Sequence, residues 1–386
     1  MQNDGNELVI VGMACRLPGA SSTSEYWQNL IQNKICTNQT RTWDNGEKSI
    51  GGFLSDIKSF DADFFNISPA EAICINPQIR LLLEVSYHAI QSCGVSIKAL
   101  QTLNTGVFTT SLPGDYKHLL AKDPQASISP YSFSGNAFSA VSGRLSYFYD
   151  FHGPSISLDT ACSSGLSILS IAKMAIQQGQ CGAALIGGAS LFSTNEFHAL
   201  AQESQIVSTD NHCYAFDGRA NGLVPAEGVV ALVVMQQKNA EKYSLPVLAQ
   251  VHHIALNHDG LSNGIMAPNA SAQASLIKQC FKDAQISLRD VAVLEAHGTG
   301  TKLGDAIECA GLRDAFSDDT DPCYLGTSKM MIGHTLVCSG LASIVKLILS
   351  YQNNTIPANP LFDQPPQNTL VNTPFQINKK KCPLAE

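Results

Sequence analysis

The stretch SISLDTACSSGLSILSIAKMA, residues 155–175, decides how this chain folds. It begins with a short apolar run typical of a buried strand, and leucines and isoleucines then recur at helical spacing. The pattern predicts a strand that ends near Asp159, a sharp turn at Cys162, and a helix that follows at once. A strand that leads directly into a helix is the repeating unit of layered α/β proteins.

Similar apolar runs alternate with helical patterns along the whole chain. We predict buried strands before residue 245 at 8–14, 105–109, 155–160, 183–189 and 229–235. After residue 245 we predict strands at 247–256, 291–296 and 323–327. Helices are predicted at 77–93, 163–178, 272–284 and 335–351. Valine, isoleucine and leucine fill the strands without clean alternation, as expected of strands covered on both faces.

These elements predict an α/β fold with two similar halves, at residues 1–245 and 246–386. No linker-like stretch divides the chain. Clusters of Ser, Thr, Asn and Pro at 37–49 and 353–372 predict surface loops.

Composition restricts the classes of function. Lys plus Arg number 24 and Asp plus Glu number 32, so the net charge of −8 offers no basic surface for nucleic acid. No apolar run reaches the roughly 20 residues of a membrane helix, and no signal peptide is apparent. We therefore expect no membrane partner and a cytoplasmic location. The 12 cysteines are scattered without zinc-site spacing, which favours reduced thiols and no metal.

The turn around Cys162 is the strongest candidate for chemistry. It would place the thiol at a helix N-terminus, where free N–H groups and partial positive charge favour a thiolate and stabilise an oxyanion. Its neighbours are small and leave room for a substrate: Ala161, Ser163, Ser164 and Gly165. The alternative is a buried structural cysteine, the common role of a cysteine in apolar surroundings.

A second candidate segment is VAVLEAHGTGTKLGDAIE, residues 291–308. A strand delivers His297 into a loop rich in glycine and threonine. Such a loop lets the backbone approach a ligand closely, and Thr299 and Thr301 offer two hydroxyls. The alternative is that His297 is a hydrogen-bonded polar group at a strand end.

A third candidate segment is GTSKMMIGHTLVCSGLASIVKLIL, residues 326–349. His334 follows a glycine at the start of an apolar helix, five residues after Lys329. A histidine in this position is either a functional group or a helix cap.

Together these segments resemble the ketoacyl synthase family of the thiolase superfamily, most closely the ketosynthase domains of modular polyketide synthases. IVGMACRLPGA at 10–20 and FDADFFNISPAEAICINPQIRLLLEVSYHAI at 60–90 are similar to the family's first signatures. Further motifs follow in family order: DTACSSG, FDGRANGLVPAEG, NHDGLSNGIMAPN, HGTGT and KMMIGHT. The VPAEG motif at 224–228 resembles ketosynthases of assembly lines that lack a built-in acyltransferase.

The resemblance implies a thiolase-like αβαβα layered fold that works as a homodimer. It implies decarboxylative Claisen condensation of an acyl chain with a malonyl unit on an acyl carrier protein. Cys162 would hold the acyl chain as a thioester, and Lys329 matches a lysine with a structural or electrostatic role. His297 and His334 correspond to the family's paired histidines, whose N–H groups can stabilise the enolate oxygen.

The resemblance also implies how the substrates arrive. Thr299 and Thr301 match hydroxyls that hold the phosphopantetheine arm of the carrier protein. Because the arm arrives on the carrier, no bound cofactor or metal is expected. Asp305 and Glu308 are acidic residues available to pair with Lys329 or its neighbours.

Some features depart from the family pattern. Gly165 stands where polyketide members commonly have Ser, Met266 stands where Thr is common, and KMMIGHT replaces KSNIGHT. The sequence ends NTPFQINKKKCPLAE, without the Gly/Phe-rich segment that supplies final strands and one oxyanion donor. We therefore expect the second half to be incomplete, and residues 1–386 to be less stable and poorer at condensation than a full-length relative. A truncated, catalytically impaired ketosynthase acting as a non-enzymatic partner is the alternative.

Overall fold

The computed structural model describes residues 7–123, 128–316, 322–366, 369–371 and 373–384. The strands are β1 (Leu8–Arg16), β2 (Gln39–Thr42), β3 (Lys48–Gly51), β4 (Gly106–Ser111), β5 (Ser155–Ser157), β6 (Ala183–Ser190), β7 (Gly228–Gln236), β8 (Ala249–Val251), β9 (Val293–Glu295), β10 (Cys323–Gly326), β11 (Thr355–Ile356), β12 (Phe375–Gln376) and β13 (Cys382–Pro383). The helices are α1 (Thr23–Ile31), α2 (Pro69–Cys74), α3 (Pro77–Cys93), α4 (Ile97–Thr102), α5 (Tyr116–Leu120), α6 (Pro130–Asn136), α7 (Ala140–Tyr149), α8 (Ser164–Gln177), α9 (Glu196–Glu203), α10 (Gln237–Lys242), α11 (Ala270–Ala284), α12 (Lys302–Ala315), α13 (Lys329–Ile332) and α14 (Ser339–Gln352). None of these helices is long and apolar enough to cross a membrane.

The larger sheet has six strands in the order β5-β4-β6-β7-β1-β8. β4 pairs in parallel with β5 and β6, whereas β7 runs antiparallel between β6 and β1. Every residue of β4 and β6 is buried, because helices cover both faces of the sheet. α3 and α7 pack on one face, and α8 and α14 pack on the other.

The second sheet is parallel, in the order β12-β10-β9, and α11 and α12 pack against it around Leu312 and Leu325. α14 lies between the two sheets: Leu341 packs in the core of the first, and the Lys346 ammonium pairs at 2.6 Å with Glu295 of β9. Helices and sheets therefore alternate in layers, as the α/β prediction requires.

The predicted strands of the first half are confirmed, and β5 is shorter than predicted. The strand predicted at 247–256 is reduced to β8, which pairs antiparallel with β1 at the edge of the first sheet. Its register places Leu8 opposite Val251 and Ile10 opposite Ala249. The division of the chain near residue 245 stays a prediction.

The loop predicted at 37–49 is wrong, because β2 and β3 form a hairpin there. Trp43 at its turn is buried, with its ring centroid 6.0 Å from that of Phe53. The Arg41 guanidinium binds the buried Glu227 carboxylate through two nitrogens, at 2.5 and 2.8 Å. This charge-assisted pair ties a mostly exposed hairpin to a buried carboxylate that lies far away in the chain.

The loop predicted at 353–372 is also partly wrong. It contains β11, and Asn359 is buried. The Asn359 side chain accepts a hydrogen bond from the Thr327 backbone N–H and donates to the Leu325 carbonyl. It thereby holds the end of β10, from which the chain enters α13.

Candidate active site

The chain turns sharply at Cys162, as predicted from the strand-to-helix pattern. β5 ends at Ser157 and α8 begins at Ser164. Between them Ala161 has a φ of +55°, a left-handed conformation that is costly for a residue with a Cβ. The Asp159 carboxylate supports the turn by accepting the Ala161 N–H at 2.8 Å. The turn therefore presents the Cys162 side chain just ahead of the helix.

The Cys162 thiol is half-buried against an apolar cluster. The cluster consists of Trp43, Phe53, Phe192 and Leu336. Burial raises the pKa of the thiol, and the opposing influence of the Lys329 charge and a backbone N–H does not reverse the shift. Desolvation thus opposes the positive end of the helix, which favours the thiolate.

His334 is buried directly after α13, and its backbone is tied to the VPAEG motif. Its N–H donates to the Val224 carbonyl at 2.7 Å, and its carbonyl accepts the Ala226 N–H at 3.0 Å. Its ring Nδ1 accepts the Leu336 backbone N–H at 3.2 Å. Burial, together with the charge of Lys329, holds the pKa of His334 well below its usual range. The ring is therefore neutral and carries its proton on Nε2.

His297 lies after β9 at the start of the predicted glycine- and threonine-rich loop, and its side chain is exposed. The backbone N–H groups of His297 and Gly298 both donate to the Glu308 carboxylate, at 2.7 and 2.8 Å. The His297 ring centroid is 5.4 Å from that of His334. Protein packed around the ring, and secondly the Lys329 charge, lower the pKa of His297, although the residue keeps contact with solvent. The structure thus brings two imidazoles together from separate loops.

Lys329 is the buried charge at the centre of the site. Burial lowers its pKa, while nearby carboxylates and the Cys162 thiol oppose that shift. In the described part of the chain, neither Asp305 nor Glu308 forms an ion pair with Lys329. Glu308 instead binds the His297 loop, and Asp305 accepts the Phe216 N–H at 2.7 Å. Lys329 therefore influences the thiol and both imidazoles through the electrostatic field of its positive charge.

The two threonines of the loop lie side by side. Thr299 Oγ1 and Thr301 Oγ1 are 3.0 Å apart, Thr299 being buried and Thr301 half-buried. Asp305 accepts the Gly300 N–H between them, and burial raises the pKa of Asp305 to about 7. The loop is therefore anchored by the carboxylates of α12, Asp305 and Glu308.

Strained apolar residues form a signature of the site that the sequence did not reveal. Of the 12 described non-glycine residues with positive φ, only Ala161, Phe216 and Leu336 have apolar side chains. All three belong to the site: Ala161 precedes Cys162, and the other two aim N–H groups at Asp305 and His334. Such conformations cost about 1–3 kcal/mol each and persist where the surroundings enforce them.

Glu227 is a second residue that sequence reasoning missed, although the VPAEG motif contains it. Besides Arg41, its buried carboxylate accepts the backbone N–H groups of Leu54 and Phe192. These contacts hold the VPAEG motif, which in turn binds the His334 backbone. Within the described ranges, no group of three or more His, Cys, Asp or Glu is arranged to hold a metal ion.

Comparisons with known proteins agree with this architecture. The family described as "Beta-ketoacyl synthase, N-terminal domain" matches residues 5–240, and "Beta-ketoacyl synthase, C-terminal domain" matches residues 248–363. The chain is 37% identical over 377 residues to polyketide synthase GfsE of Streptomyces halstedii, covering 93% of this chain and 10% of that protein. It is 38% identical over 382 residues to the pikromycin polyketide synthase component PikAII of Streptomyces venezuelae, covering 94% of this chain and 10% of that protein. The chain thus spans about a tenth of the length of these relatives.

Solved structures show the same similarity. The oxazolomycin ketosynthase domain OzmH KS7 of Streptomyces albus JA3453 superposes with a TM-score of 0.94 at 34% identity, covering 98% of this chain and 68% of that one. The ketosynthase from module 6 of the bacillaene synthase of Bacillus subtilis 168 superposes with a TM-score of 0.89 at 32% identity. The superposition covers 98% of this chain and 67% of that one. These ketosynthase domains have the thiolase-like fold, so the predicted fold class is confirmed. The chain belongs to the β-ketoacyl synthase family and resembles the ketosynthase domains of modular polyketide synthases.

Proposed function

We propose that this chain is a ketosynthase of polyketide biosynthesis. It condenses an acyl chain held on Cys162 with a malonyl unit carried by an acyl carrier protein, and carbon dioxide is released. The observation that carries the proposal is geometric: the rings of His297 and His334 lie 5.4 Å apart, and Cys162 packs against Leu336, two residues after His334. The family membership supports the same reaction class.

The first step is acyl transfer. The Cys162 sulfur attacks the thioester carbonyl of an acyl carrier protein, the new thioester forms on Cys162, and the carrier leaves as a thiol. The proton of the Cys162 thiol ends on the departing sulfur, so the step balances. The positive field of Lys329 favours the thiolate as the proton departs, because it opposes the desolvation that raises the pKa of the thiol.

The second step is condensation. Loss of carbon dioxide from the malonyl thioester leaves an enolate, whose carbon attacks the acyl carbonyl on Cys162. The new carbon–carbon bond replaces the bond to sulfur, and Cys162 regains a proton from water. Imidazoles suit this step, because His297 and His334 can each donate one N–H to the enolate oxygen even in the neutral form. The Nε2–H of His334 is available for this purpose, since its Nδ1 is occupied.

The carrier delivers both substrates on a phosphopantetheine arm. We assign Thr299 and Thr301 to hold this arm. Their hydroxyl oxygens lie 3.0 Å apart in the loop that begins at His297. The arm belongs to the substrate, so this reaction requires no resident cofactor or metal.

A homodimer is part of the proposal. β5 is an edge strand of the larger sheet, and its Ile156 side chain is 38% exposed. Phe133 and Tyr147, on the neighbouring α6 and α7, are 85% and 83% exposed. An apolar sheet edge favours pairing with another strand, and a second copy would cover it symmetrically.

Light scattering tests the dimer by measuring the molecular mass in solution. Phe133→Asp should shift this mass toward that of the monomer. Tyr351→Asp, on the exposed end of α14, should leave it unchanged.

A reducing, cytoplasmic location is also proposed. All 12 cysteines are free, and most are buried. Free thiols in this number are typical of reducing compartments.

The test of the activity is mass spectrometry of the carrier protein. The acylated chain is mixed with malonyl-loaded carrier, and the carrier should gain the acyl group while losing carbon dioxide, giving a β-ketoacyl thioester. Carrier that stays malonylated beside acylated Cys162 would contradict the proposal and favour the non-enzymatic alternative.

A further inference from the structure

The carboxylate of Glu295, the last residue of β9, joins three elements of the fold. One of its oxygens accepts the Ser328 backbone N–H at 2.5 Å, directly before α13. The other oxygen binds the Lys346 ammonium of α14 at 2.6 Å. The side chains of Glu295 and Lys346 are only 3% and 6% exposed, so water screens their attraction weakly.

Two residues of the candidate site leave the second sheet beside this carboxylate. β9 and β10 run in parallel, with Glu295 opposite Gly326, and the Ala296 N–H donates to the Gly326 carbonyl at 2.8 Å. Beyond that bond the two segments separate, because His297 follows β9 into its loop whereas Lys329 follows β10 into α13.

The Glu295 carboxylate connects the two segments beyond the point where they separate. The Lys329 N–H bonds within its own turn, to Thr327 Oγ1 at 3.3 Å, and so does not reach β9. Glu308 holds the loop after β9 but, among the described hydrogen bonds, has none to the turn before α13. The bond from the Ser328 N–H to Glu295 therefore fixes where Lys329 begins relative to β9.

The same carboxylate faces the buried charge of Lys329. Burial lowers the pKa of Lys329, and Glu295 is the charge that opposes this shift most strongly. A buried ammonium that lacks a nearby negative charge tends to give up its proton. Lys346 in turn supplies the Glu295 carboxylate with an ion-pair partner, which a buried charge requires.

We propose that Glu295 is a positioning residue that keeps the Lys329 ammonium in place and charged. Lys346 holds the carboxylate, the carboxylate holds the turn before α13, and that turn leads into Lys329. Glu295 thus takes the part for which the sequence offered Asp305 and Glu308. The inference rests on the proposed function for its consequence, because the positive charge of Lys329 favours the Cys162 thiolate during acyl transfer.

The first test separates stability from acyl loading. Glu295→Gln and Lys346→Met each leave one buried charge without its partner, so both should unfold at lower urea concentrations than the native chain. The Glu295→Gln/Lys346→Met double variant removes both charges and should regain much of that stability. Its acyl loading should nevertheless stay about ten- to a hundredfold slower than native, because Lys329 is no longer held and supported.

The matched control is a second ion pair, formed by Arg16 of β1 and Glu84 of α3 at 2.8 Å and partly buried. The Arg16→Met/Glu84→Gln double variant should change stability and leave acyl loading at the native rate. Native loading in the Glu295→Gln/Lys346→Met variant, or an equal loss in both double variants, would overturn the proposal.

The second test follows the rate of Cys162 alkylation by iodoacetamide against pH, with the alkylated residue identified by peptide mass spectrometry. The double variant removes one positive and one negative charge, and the main charges acting on the pKa of Cys162 are those of Lys329 and Asp159. A displaced or neutral Lys329 no longer favours the thiolate, so the profile should move to higher pH. A profile that stays in place or moves to lower pH overturns the inference.

The alkylation test isolates the contribution of one group. The double variant changes a single member of the titratable groups around Lys329, which are Glu295, Glu308, Cys213, Cys162, His297 and His334. Alkylation also needs no turnover. A native chain that fails to condense, while the double variant shows the shifted profile, would contradict the proposed function and support the role of Glu295.

Discussion

The imidazole rings of His297 and His334 lie 5.4 Å apart and cross at 84°. One ring follows β9 and the other follows α13, so the second half of the fold brings both to the same place. Desolvation and the Lys329 charge lower the pKa of both rings. These shifts favour the neutral form, in which each ring still has one N–H to donate to an oxygen that gains negative charge.

Replacement of the nucleophile tests the assignment of Cys162. Cys162→Ala should abolish acyl loading from an acyl thioester, because the other cysteines lack this strand-to-helix turn. Intact-mass spectrometry measures the gain of one acyl group. Cys280→Ala is a suitable control, since Cys280 is also half-buried but lies on α11. Loading that survives in Cys162→Ala would place the nucleophile elsewhere.

Replacement of either histidine should separate the two half-reactions. His297→Ala and His334→Ala should lower the rate of malonyl decarboxylation and condensation by about 10²–10³, the usual cost of one preorganised oxyanion donor. Acyl loading should survive in part, because the sulfur attacks before the enolate forms. Stopped reactions analysed by mass spectrometry measure both steps. Loss of loading with normal decarboxylation would contradict the assignment.

The Asp217 carboxylate should govern stability in acid. Burial alone would raise its pKa, but Arg219 and the backbone N–H groups of Arg219, Asp363 and Gln364 outweigh it and lower the pKa to about 2. Its stabilising effect is therefore complete above the unfolded-state pKa near 4 and is lost as the pH falls toward 2.

Urea unfolding at several pH values measures that effect. Asp217→Asn should cost about 2 kcal/mol at pH 7, and the difference from the native chain should shrink between pH 4 and pH 2. Asp363→Asn is the control, because it removes only an exposed ion pair with Lys379. A difference that stays constant with pH would show that the Asp217 charge is not responsible.

Gly165 in α8 should resist a side chain. A Cβ added there would lie 3.0 Å from Leu341 Cγ and 3.1 Å from the Val337 carbonyl oxygen, so these neighbours would have to shift by a few tenths of an ångström. Gly165→Ala should therefore destabilise the chain by about 1–3 kcal/mol despite the higher helix propensity of alanine.

Gly143 in α7 is the matched control, because an added Cβ would meet no atom within 4 Å. Gly143→Ala should raise the free energy of unfolding by roughly 0.5–1 kcal/mol. Thermal and urea unfolding of both variants provide the comparison. A stabilising Gly165→Ala would mean that the helices accommodate the methyl group.

Elements with clear local boundaries were predictable from the sequence. The helix predicted at 77–93 is found at Pro77–Cys93, because Pro77 begins it, Asn76 caps it, and Gly94 ends it in the left-handed conformation. The turn at Cys162 was predictable for a similar reason, since a strand pattern changes directly into a helix pattern.

Features that depend on distant partners could not be predicted. The hairpin of β2 and β3 looks like a polar loop because the residue that anchors it, Glu227, is far away in the chain. The protonation of Cys162 and the tautomer of His334 depend on burial and on the orientation of single N–H groups. Hydrophobic periodicity carries no information about either quantity.

The most direct measurement of the central claim is the stoichiometry of a single turnover. Chain acylated on Cys162 is mixed with malonyl-loaded carrier labelled with 13C in the free carboxylate, and released carbon dioxide and loss of the acyl group from Cys162 are followed together. The account predicts one labelled carbon dioxide for each acyl group that leaves Cys162, with that acyl group recovered on the carrier. Acyl groups lost to water without labelled carbon dioxide, or carbon dioxide released while Cys162 stays acylated, would contradict it.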